Sequence, residues 1–266
     1  MGRAHPELVE LVGRLIADGP KCRPPLIAVV GAQGSGKTTL AREAAERFGA
    51  AQISIDDVYL TRAEREAMGR DVDPLFVTRG PPGTHDLALL QELIGALSTA
   101  GPTDETLIPD FDKRGDDRWP RERWRRFAGR PSAILIDAWC LGALPEDEAA
   151  LAEPLNALER DHDADGGWRR AVNGFVAGPY ADFTARFDAV LFLEAPGFEV
   201  VLDWRCQQEA DLLGVAPADL PADERDRLAG FIQYFERVTR RMLAAGVDSS
   251  VTVKLDRNRQ PLAIDR

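Results

Sequence analysis

Residues 31–38 read Gly31-Ala32-Gln33-Gly34-Ser35-Gly36-Lys37-Thr38 and fit the pattern G-x-x-x-x-G-K-[ST]. The glycines of this loop can adopt backbone conformations that other residues avoid, so that successive N–H groups can point at phosphate oxygens. Lys37 supplies a positive charge for the terminal phosphates of a nucleotide, and the hydroxyl of Thr38 suits a Mg²⁺ ligand. We therefore predict that the loop binds ATP. The predicted nucleotide-binding residues are Gly31, Ala32, Gln33, Gly34, Ser35, Gly36, Lys37, Thr38 and Thr39.

The sequence on either side of the loop has the pattern that such a loop requires, a buried strand before it and a helix after it. Residues 26–30 form an uninterrupted β-prone run, typical of a strand buried on both faces of a parallel sheet. A helix is predicted for residues 37–48. Further strand-like runs are residues 52–55, 107–109, 133–136, 189–193 and 251–255. Because strands alternate with helices, we predict an α/β fold, a doubly wound, mostly parallel sheet with helices on both faces.

The chain shows no internal repeat and no clear linker, so we predict a single domain over residues 1–266. Residues 6–17 carry apolar side chains at helical spacing, which predicts a helix within an N-terminal segment, residues 1–24. Two polar helices are predicted at residues 203–213 and 223–245, joined by a proline-containing turn at 217–221. Their arginine content and position indicate a mobile lid over residues 196–245.

The composition is acidic, with 33 Lys and Arg against 44 Asp and Glu and a formal net charge of −11. This balance disfavours a nucleic-acid or membrane-surface partner, since both bind positively charged proteins. The segment from Lys113 to Arg130 runs against the trend, with eight basic residues and two interleaved tryptophans. It is compatible with a solvated surface paired with Asp116, Asp117 and Glu122, with single-stranded nucleic acid, or with a pocket for a small anion.

Hydrophobicity and cysteine content indicate a cytoplasmic protein. The longest apolar runs, around residues 26–30 and 189–193, fall well short of the ~20 residues that span a bilayer. No apolar signal core follows the N-terminus. The three cysteines, Cys22, Cys140 and Cys206, are odd in number and have no metal-ligand spacing, so we expect them to be reduced.

Two carboxylates follow the second predicted strand, about twenty residues after Lys37. One helix and one strand then return the chain to the edge of the sheet where the phosphate loop lies. Asp56 is our candidate base, because a carboxylate there can accept a proton from an attacking hydroxyl or hold it in line. We assign Asp57 as a secondary or Mg²⁺-linked acid. The alternative is that Asp57 caps the following turn and Asp56 is merely solvated.

A third carboxylate, Asp137, ends the predicted strand at residues 133–136. A hydrophobic strand that ends in an acid next to a phosphate loop is the expected form of a Walker B strand, whose carboxylate holds the metal directly or through water. The predicted metal-binding residues are Thr38, Asp137 and Asp57.

These motifs resemble the phosphoribulokinase and uridine kinase branch of the P-loop kinases, and most closely the D-glycerate 3-kinase family. Arg79-Gly80-Pro81-Pro82-Gly83-Thr84-His85-Asp86 is the block most specific to that family. The other stretches that carry the resemblance are residues 31–38, 54–61 (SIDDVYLT), 109–113 (PDFDK), 115–118 (GDDR), 137–142 (DAWCLG), 204–209 (WRCQQE) and 234–240 (YFERVTR).

The resemblance implies ATP-dependent phosphorylation of a small hydroxy acid, with D-glycerate giving 3-phosphoglycerate as the leading pair. Arg79, Lys113 and Arg118 are cations able to pair with a substrate carboxylate, while His85 and Asp86 can grip hydroxyls or, alternatively, cap a helix. The predicted substrate-binding residues are Asp57, Tyr59, Arg79, His85, Asp86, Lys113 and Arg118. The predicted catalytic residues are Asp56, Lys37 and the lid arginines Arg205 and Arg237, with Arg240 and Arg241 as further lid candidates.

Two alternatives stay open at this point. The acceptor can be a nucleoside, pantothenate or a sugar phosphate on the same fold. A protein of another class, in which the loop reports ATP occupancy to a partner without phosphoryl transfer, also fits a phosphate loop. The oligomeric state is left open by the sequence.

Overall fold

A computed structural model describes residues 3–265. The strands, in chain order, are β1 Leu26–Gly31, β2 Ala51–Ser54, β3 Glu105–Ile108, β4 Phe111–Asp112, β5 Asp117–Arg118, β6 Arg125–Ala128, β7 Ile134–Ala138, β8 Ala189–Glu194, β9 Val251–Leu255 and β10 Pro261–Asp265. The helices are α1 Pro6–Asp18, α2 Lys37–Phe48, α3 Arg62–Asp71, α4 Leu87–Thr99, α5 Ala157–His162, α6 Gly167–Phe175, α7 Ala181–Thr184, α8 Glu199–Leu213 and α9 Ala222–Ala245.

Six strands form a central sheet in the order β10-β9-β8-β1-β7-β2. Strand β1 pairs in parallel with β7 and β8, β2 with β7, and β8 with β9, whereas β10 pairs antiparallel with β9 at one edge. The predicted mostly parallel sheet is confirmed. Because β1 is central and all six of its residues are buried, its uninterrupted apolar run has the physical cause that the sequence indicates.

Helices cover both faces of this sheet. Side chains alternate along β1, so that Ala28 and Val30 lie in one apolar core while Ile27 and Val29 lie in the other. The first core contains residues of α4, α6 and α9, and the second contains residues of α1, α2 and α8. The doubly wound arrangement is therefore confirmed. It brings the carboxyl ends of β1, β2 and β7 to one edge, where the loops that follow them meet.

One predicted strand lies outside the central sheet. Residues 107–109 were expected to alternate with the other strands, but β3 pairs antiparallel with β6 in a separate two-stranded sheet. A similar short ribbon joins β4 and β5. Strand character is a local property, whereas membership of a sheet depends on a partner elsewhere in the chain. The basic segment is also a ribbon with a short 3₁₀ turn, Arg121–Arg123.

Several other predictions can be compared with the described residues. The helix α8 begins four residues before the predicted one, and α9 matches its predicted bounds within one residue. The cysteines are free thiols, with Cys22 exposed and Cys140 and Cys206 buried. Across residues 3–265, each helix is too short or too polar to traverse a bilayer.

Candidate active site

The phosphate loop connects β1 to α2 at the carboxyl edge of the sheet. Gly36 has φ +93° at the N-cap of α2, a left-handed conformation that favours glycine. Gly31 is constrained by space instead, because a Cβ there would lie 2.8 Å from the carbonyl oxygen of Leu193 and 2.9 Å from Ser35 Oγ. These positions explain why the motif needs glycines where it has them.

Lys37 begins α2 and reaches back along the loop. Its Nζ donates to the carbonyl oxygen of Ala32 at 3.3 Å. Burial lowers the pKa of Lys37, and the nearby carboxylates of Asp56 and Asp137 act against that shift. The ammonium group therefore lies near both predicted acids. It is a compact point charge of the kind that binds a phosphate.

Several buried polar atoms around the loop have no hydrogen-bond partner within residues 3–265. They are both amide atoms of Gln33, Ser35 Oγ and Arg205 Nε. Buried polar groups are nearly always paired in proteins, so a group left unpaired needs a reason. A polar ligand held in the loop supplies that reason. The loop residues thus fit a nucleotide.

Asp137 lies at the centre of a polar cluster on β7. Its carboxylate, completely buried, accepts hydrogen bonds from Thr38 Oγ1 at 2.8 Å, Ser54 Oγ at 2.9 Å and Gln52 Nε2 at 2.6 Å. Burial raises the pKa of Asp137, and Lys37 together with these hydrogen bonds opposes the rise. The contact with Thr38 joins two of the three predicted metal ligands.

The donor set around Thr38 and Asp137 fits Mg²⁺. Within residues 3–265 there is no cluster of three or more His, Cys, Asp or Glu side chains able to hold a metal. Mg²⁺ does not need one, because it usually keeps several waters and binds one or two protein groups together with substrate phosphates. Thr38 and Asp137 would hold the ion in this way.

Asp57 is held by one backbone donor and one arginine. It accepts from the Ser54 N–H at 3.0 Å in a capping box and from Arg125 Nη2 at 2.8 Å. Burial raises the pKa of Asp57 to about 7, and the carboxylates of Asp137 and Asp56 add to the rise against Arg125. The capping alternative is confirmed, and its contact with metal or substrate stays a prediction.

Asp56 is held by two donors, one on each oxygen. Tyr59 Oη donates to Oδ1 at 2.8 Å, and Lys113 Nζ donates to Oδ2 at 2.8 Å. Burial alone would raise the pKa of Asp56, but Lys113, Lys37 and the Tyr59 hydroxyl outweigh it and hold the pKa well below its usual range. Asp56 is therefore a permanent carboxylate, and it is not merely solvated.

His85 presents one unpaired ring nitrogen. Its ring stacks on Tyr59 at 4.8 Å, and Nδ1 lies 2.5 Å from the Tyr180 hydroxyl, which accepts from the Gly83 N–H at 3.0 Å. The direction of the hydrogen bond between Nδ1 and Tyr180 depends on which ring nitrogen carries the hydrogen. Burial lowers the pKa of His85 to about 4, so the ring is neutral. Nε2 is buried and has no partner within residues 3–265.

The predicted substrate cations Arg79 and Arg118 have protein partners. Arg79 pairs with Asp116 and donates to the carbonyl oxygen of Lys113 at 3.2 Å. Arg118 Nη2 donates to the carbonyl oxygen of Tyr59 at 2.7 Å and to Asp86 at 3.1 Å, and its Nε is buried without a partner in residues 3–265. Neither arginine is spare, and only Arg118 keeps a buried donor for a ligand.

Asp86 caps a helix. Its Oδ1 accepts from the Leu89 N–H at 2.9 Å at the start of α4, while Oδ2 accepts from Arg118. The capping alternative is confirmed for Asp86. Among the described residues, the guanidinium of Arg118 forms its ion pair with Asp86 and not with Asp116 or Asp117 of its own segment.

Of the lid arginines, Arg205 on α8 lies near the predicted site. Burial lowers its pKa, and Asp56 and Glu209 oppose the shift. Its charge also acts on Lys37 and Lys113. With an unpaired Nε, Arg205 retains a donor for an anionic ligand.

Arg237 is a correction. Its side chain is only 10% exposed, and its N–H groups donate to both oxygens of Glu159, to Glu146 and to the carbonyl oxygens of Ala150 and Glu153. Burial alone would lower the pKa of Arg237, but Glu159 and Glu146 raise it above its usual value. All five donors are used, so the predicted catalytic role of Arg237 is wrong and its role is structural.

The remaining arginines considered for the lid and the basic segment have varied surroundings. Arg240 pairs with Glu236 at 2.8 Å and lies over the ring of Phe198, while Arg241 has a buried Nε without a partner in the described chain. In the basic segment, Arg123 lies 3.6 Å from the centre of the Trp119 ring and Arg125 pairs with Asp57. The single-stranded nucleic-acid alternative gains no contact that favours it.

Sequence reasoning missed three residues of this site. Gln52 and Ser54 lie on one side of β2 and hold Asp137, and their alternation with buried Ala51 and Ile53 is a signal that could have found them. Tyr180, which contacts His85 Nδ1, lies 95 residues from it in sequence, and no local pattern points to that contact.

Comparison with known proteins supports the fold. No protein-family model and no curated protein matches the sequence. Among solved structures, D-glycerate 3-kinase from Cryptococcus neoformans var. grubii aligns over 98% of this chain and 99% of its own, with a TM-score of 0.75 and 21% identity. The protein YGR205w aligns over 97% of this chain and 95% of its own, with a TM-score of 0.68 and 24% identity. The resemblance to D-glycerate 3-kinase is thus confirmed at the level of the fold.

Proposed function

We propose that the protein is a kinase that transfers the γ-phosphoryl group of ATP to a hydroxyl of a small hydroxy acid, with D-glycerate as the leading acceptor and 3-phosphoglycerate as product. The observation that carries the proposal is the ion pair between Asp56 and Lys113 near Lys37. In this pair, Asp56 can accept the proton of a hydroxyl and Lys113 can bind a carboxylate. Both lie beside a loop that fits a nucleotide. The fold shared with D-glycerate 3-kinase is consistent with this assignment.

The residues can carry out the transfer as follows. Asp56 accepts a hydrogen bond from the acceptor hydroxyl and holds its oxygen in line with the γ-phosphorus. Its depressed pKa suits this positioning role, because a loose transition state needs little activation of the nucleophile. Lys37 and Arg205 balance the charge of the transferring group, and Mg²⁺, held by Thr38 and Asp137, supplies further neutralisation when bound.

The acceptor pocket favours an acid. Lys113 is 59% exposed, so it can move from Asp56 to a substrate carboxylate when the hydroxyl of that substrate binds Asp56. The buried, unpaired nitrogens His85 Nε2 and Arg118 Nε belong to residues that contact Tyr59, and they suit further polar groups of the acceptor. A nucleoside has no carboxylate for these groups to bind, so we rank a nucleoside second among the candidate acceptors. Within residues 3–265, no contact favours a nucleotide-gated binding protein over a kinase.

The experiment that tests the function is an acceptor screen. The protein is incubated with ATP and Mg²⁺ and a panel of D-glycerate, other hydroxy acids, nucleosides, pantothenate and sugar phosphates, and ADP is measured. We expect ADP only when a hydroxy acid is present, with D-glycerate the best acceptor. Hydrolysis at full rate without an acceptor, or turnover of nucleosides but not of hydroxy acids, would contradict the proposal.

We expect Lys113→Met to weaken the binding of the acceptor and to shift the pH dependence of catalysis. Loss of a charge-assisted hydrogen bond predicts a rise in the acceptor KM of roughly tenfold or more. Burial raises the pKa of Asp56 and Lys113 is the largest influence that lowers it, so the acid limb of kcat/KM, which reports the free enzyme, moves to higher pH in the variant. In the wild-type protein no limb from Asp56 is expected above about pH 4. The measurement is the pH dependence of kcat and KM.

The matched control for Lys113→Met is Arg126→Met, which removes an exposed cation of the same basic segment whose partner is Glu105. It is expected to leave the acceptor KM and the acid limb unchanged. An unaltered acceptor KM in Lys113→Met would remove Lys113 from the acceptor pocket.

A further inference from the structure

The turn between β9 and β10 contacts the phosphate loop from outside. Arg259 in this turn donates from Nε to the carbonyl oxygen of Gly34 at 2.6 Å, across 225 residues of sequence. Gly34 has φ +78° and belongs to the loop that fits the nucleotide. The contact therefore joins the C-terminal hairpin to the backbone of the candidate nucleotide site.

The backbone of Arg259 is unusual for its residue type. It has φ +63°, in the left-handed region where glycine and asparagine are favoured. A left-handed backbone at a residue with a long side chain costs free energy and persists where surrounding contacts compensate. An asparagine, Asn258, comes one position earlier, and its backbone N–H donates to Asp256 Oδ1. An arginine at the left-handed position indicates that its side chain is needed there.

The side chain of Arg259 is held by helix α8. Its guanidinium lies 5.1 Å from the centre of the Trp204 ring, and Nη1 donates to Gln207 Oε1 at 2.8 Å. Trp204 in turn donates from Nε1 to the carbonyl oxygen of Arg257 at 2.8 Å. Trp204 also abuts the loop, since a Cβ on Gly34 would lie 2.6 Å from Trp204 Cβ. The Arg259 donor is thus fixed in direction before it meets Gly34.

This contact sets the orientation of one peptide group of the loop. In a trans peptide the carbonyl and the following N–H point in opposite directions. With the Gly34 carbonyl held outward by Arg259, the Ser35 N–H points to the inner side of the loop, where its partner within the described chain is the Ala32 carbonyl oxygen at 3.2 Å. A glycine without this restraint can rotate, and an inward carbonyl would repel phosphate oxygens.

We propose that Arg259 is a positioning residue that keeps the Gly34–Ser35 peptide in the orientation that receives the nucleotide phosphates. This inference rests on the nucleotide binding that the proposed function includes. It does not depend on phosphoryl transfer or on the identity of the acceptor. It predicts that loss of the Arg259 side chain weakens nucleotide affinity without affecting the acceptor.

The test uses Arg259→Asn, which keeps a residue type that tolerates the left-handed backbone. The dissociation constants of ADP and ATP are measured by calorimetry, without acceptor, at a temperature well below the Tm of every variant. We expect roughly tenfold weaker binding, from the loss of a charge-assisted hydrogen bond. We expect the Tm without nucleotide to change little, because relief of the backbone strain opposes the loss of the contacts with Trp204 and Gln207. The acceptor KM is expected to be unchanged.

Arg257→Asn is the matched control. Arg257 is exposed in the same turn and carries the same charge, and its hydrogen bond within residues 3–265 is from Trp204 to its backbone carbonyl. It is expected to bind nucleotide as the wild-type protein does. Arg259→Lys, which keeps the charge without the planar fork, is expected to restore less than half of the lost binding free energy.

The outcomes separate the proposals. Affinity within twofold of wild type in Arg259→Asn, or an equal loss in Arg257→Asn, overturns the role of Arg259. A lower Tm with unchanged affinity overturns it as well, by assigning Arg259 to stability alone. If the wild-type protein binds ADP but phosphorylates no acceptor, the proposed kinase function fails while the inference on Arg259 can still hold. A wild-type protein that binds no nucleotide contradicts both.

Discussion

Asp56→Asn is expected to lower turnover by at least ~10²-fold while nucleotide affinity changes little. The substitution replaces one carboxylate oxygen by an NH₂ group, which donates and cannot accept. Asp56 now accepts from Tyr59 on one oxygen and from Lys113 on the other, and the amide can satisfy only one of these donors. The acceptor hydroxyl would then meet a neutral group in the position that the carboxylate occupies. Lys113 would also lose its counter-charge.

Single-turnover and steady-state kinetics with the best acceptor, together with calorimetry of ATP binding, measure this prediction. Asp203→Asn is the matched control, because Asp203 is an exposed residue of α8 whose partner is the surface residue Arg225. It is expected to match the wild-type kcat. A kcat for Asp56→Asn within tenfold of wild type would exclude Asp56 as the group that positions the hydroxyl.

The same variant separates a kinase from a nucleotide-gated binding protein. In the binding protein, Asp56→Asn leaves partner binding intact and there is no acceptor-dependent ADP formation for it to abolish. In the kinase, the loss is confined to the transfer step. Lys37→Ala does not discriminate in this way, since both functions need the nucleotide that Lys37 contacts.

The parts of the site that the sequence predicts well are those fixed by local chain geometry. The phosphate loop is a continuous stretch between one strand and one helix, so its glycines and Lys37 are defined by sequence spacing. Asp56 and Asp137 follow from a second rule, that parallel strands in one sheet end at the same edge. That rule places acids at the right edge of the sheet without identifying their partners.

Side-chain partners distant in sequence could not be predicted. Lys113 was assigned to a substrate carboxylate, but in the structure it pairs with Asp56, 57 residues away in sequence. The sequence predicts Arg79 and Arg118 as cations able to pair with a substrate carboxylate. In the structure they pair with Asp116 and Asp86. A charge in the sequence has many possible counter-ions, and only the tertiary packing selects one. The contact between His85 and Tyr180 depends in the same way on tertiary packing.

Arg237→Met is expected to destabilise the fold and to leave the phosphoryl transfer of the folded protein nearly unchanged. Glu159 is completely buried, and Arg237 donates to both of its carboxylate oxygens, one of which also accepts from the Leu155 N–H. Removing one partner of a buried ion pair leaves an uncompensated charge and typically costs about 3–5 kcal/mol. For a chain of this size, that loss corresponds to a fall in Tm on the order of 10 °C.

Thermal unfolding and kcat, the latter measured well below the transition, test the prediction for Arg237. Arg240→Met is the stability control, since the side chain of Arg240 is about half exposed, and ion pairs at the surface contribute about 0–1 kcal/mol. An arginine that stabilises the transferring phosphoryl group would behave in the opposite way, with a loss of kcat of ~10³-fold or more. An unchanged Tm with such a loss of kcat would restore the catalytic assignment.

The double variant Arg237→Met with Glu159→Gln tests the cause of the instability. If the cost of Arg237→Met comes from a charge left without its counter-ion, neutralising Glu159 recovers part of the lost Tm, because the amide buries no charge. The Leu155 N–H can still donate to the oxygen of the amide at residue 159, as it now does to the carboxylate at 2.7 Å. If the cost came instead from lost packing of the arginine side chain, Glu159→Gln would add a second loss to the first. The sign of the coupling between the two substitutions therefore distinguishes a buried electrostatic contact from a packing contact.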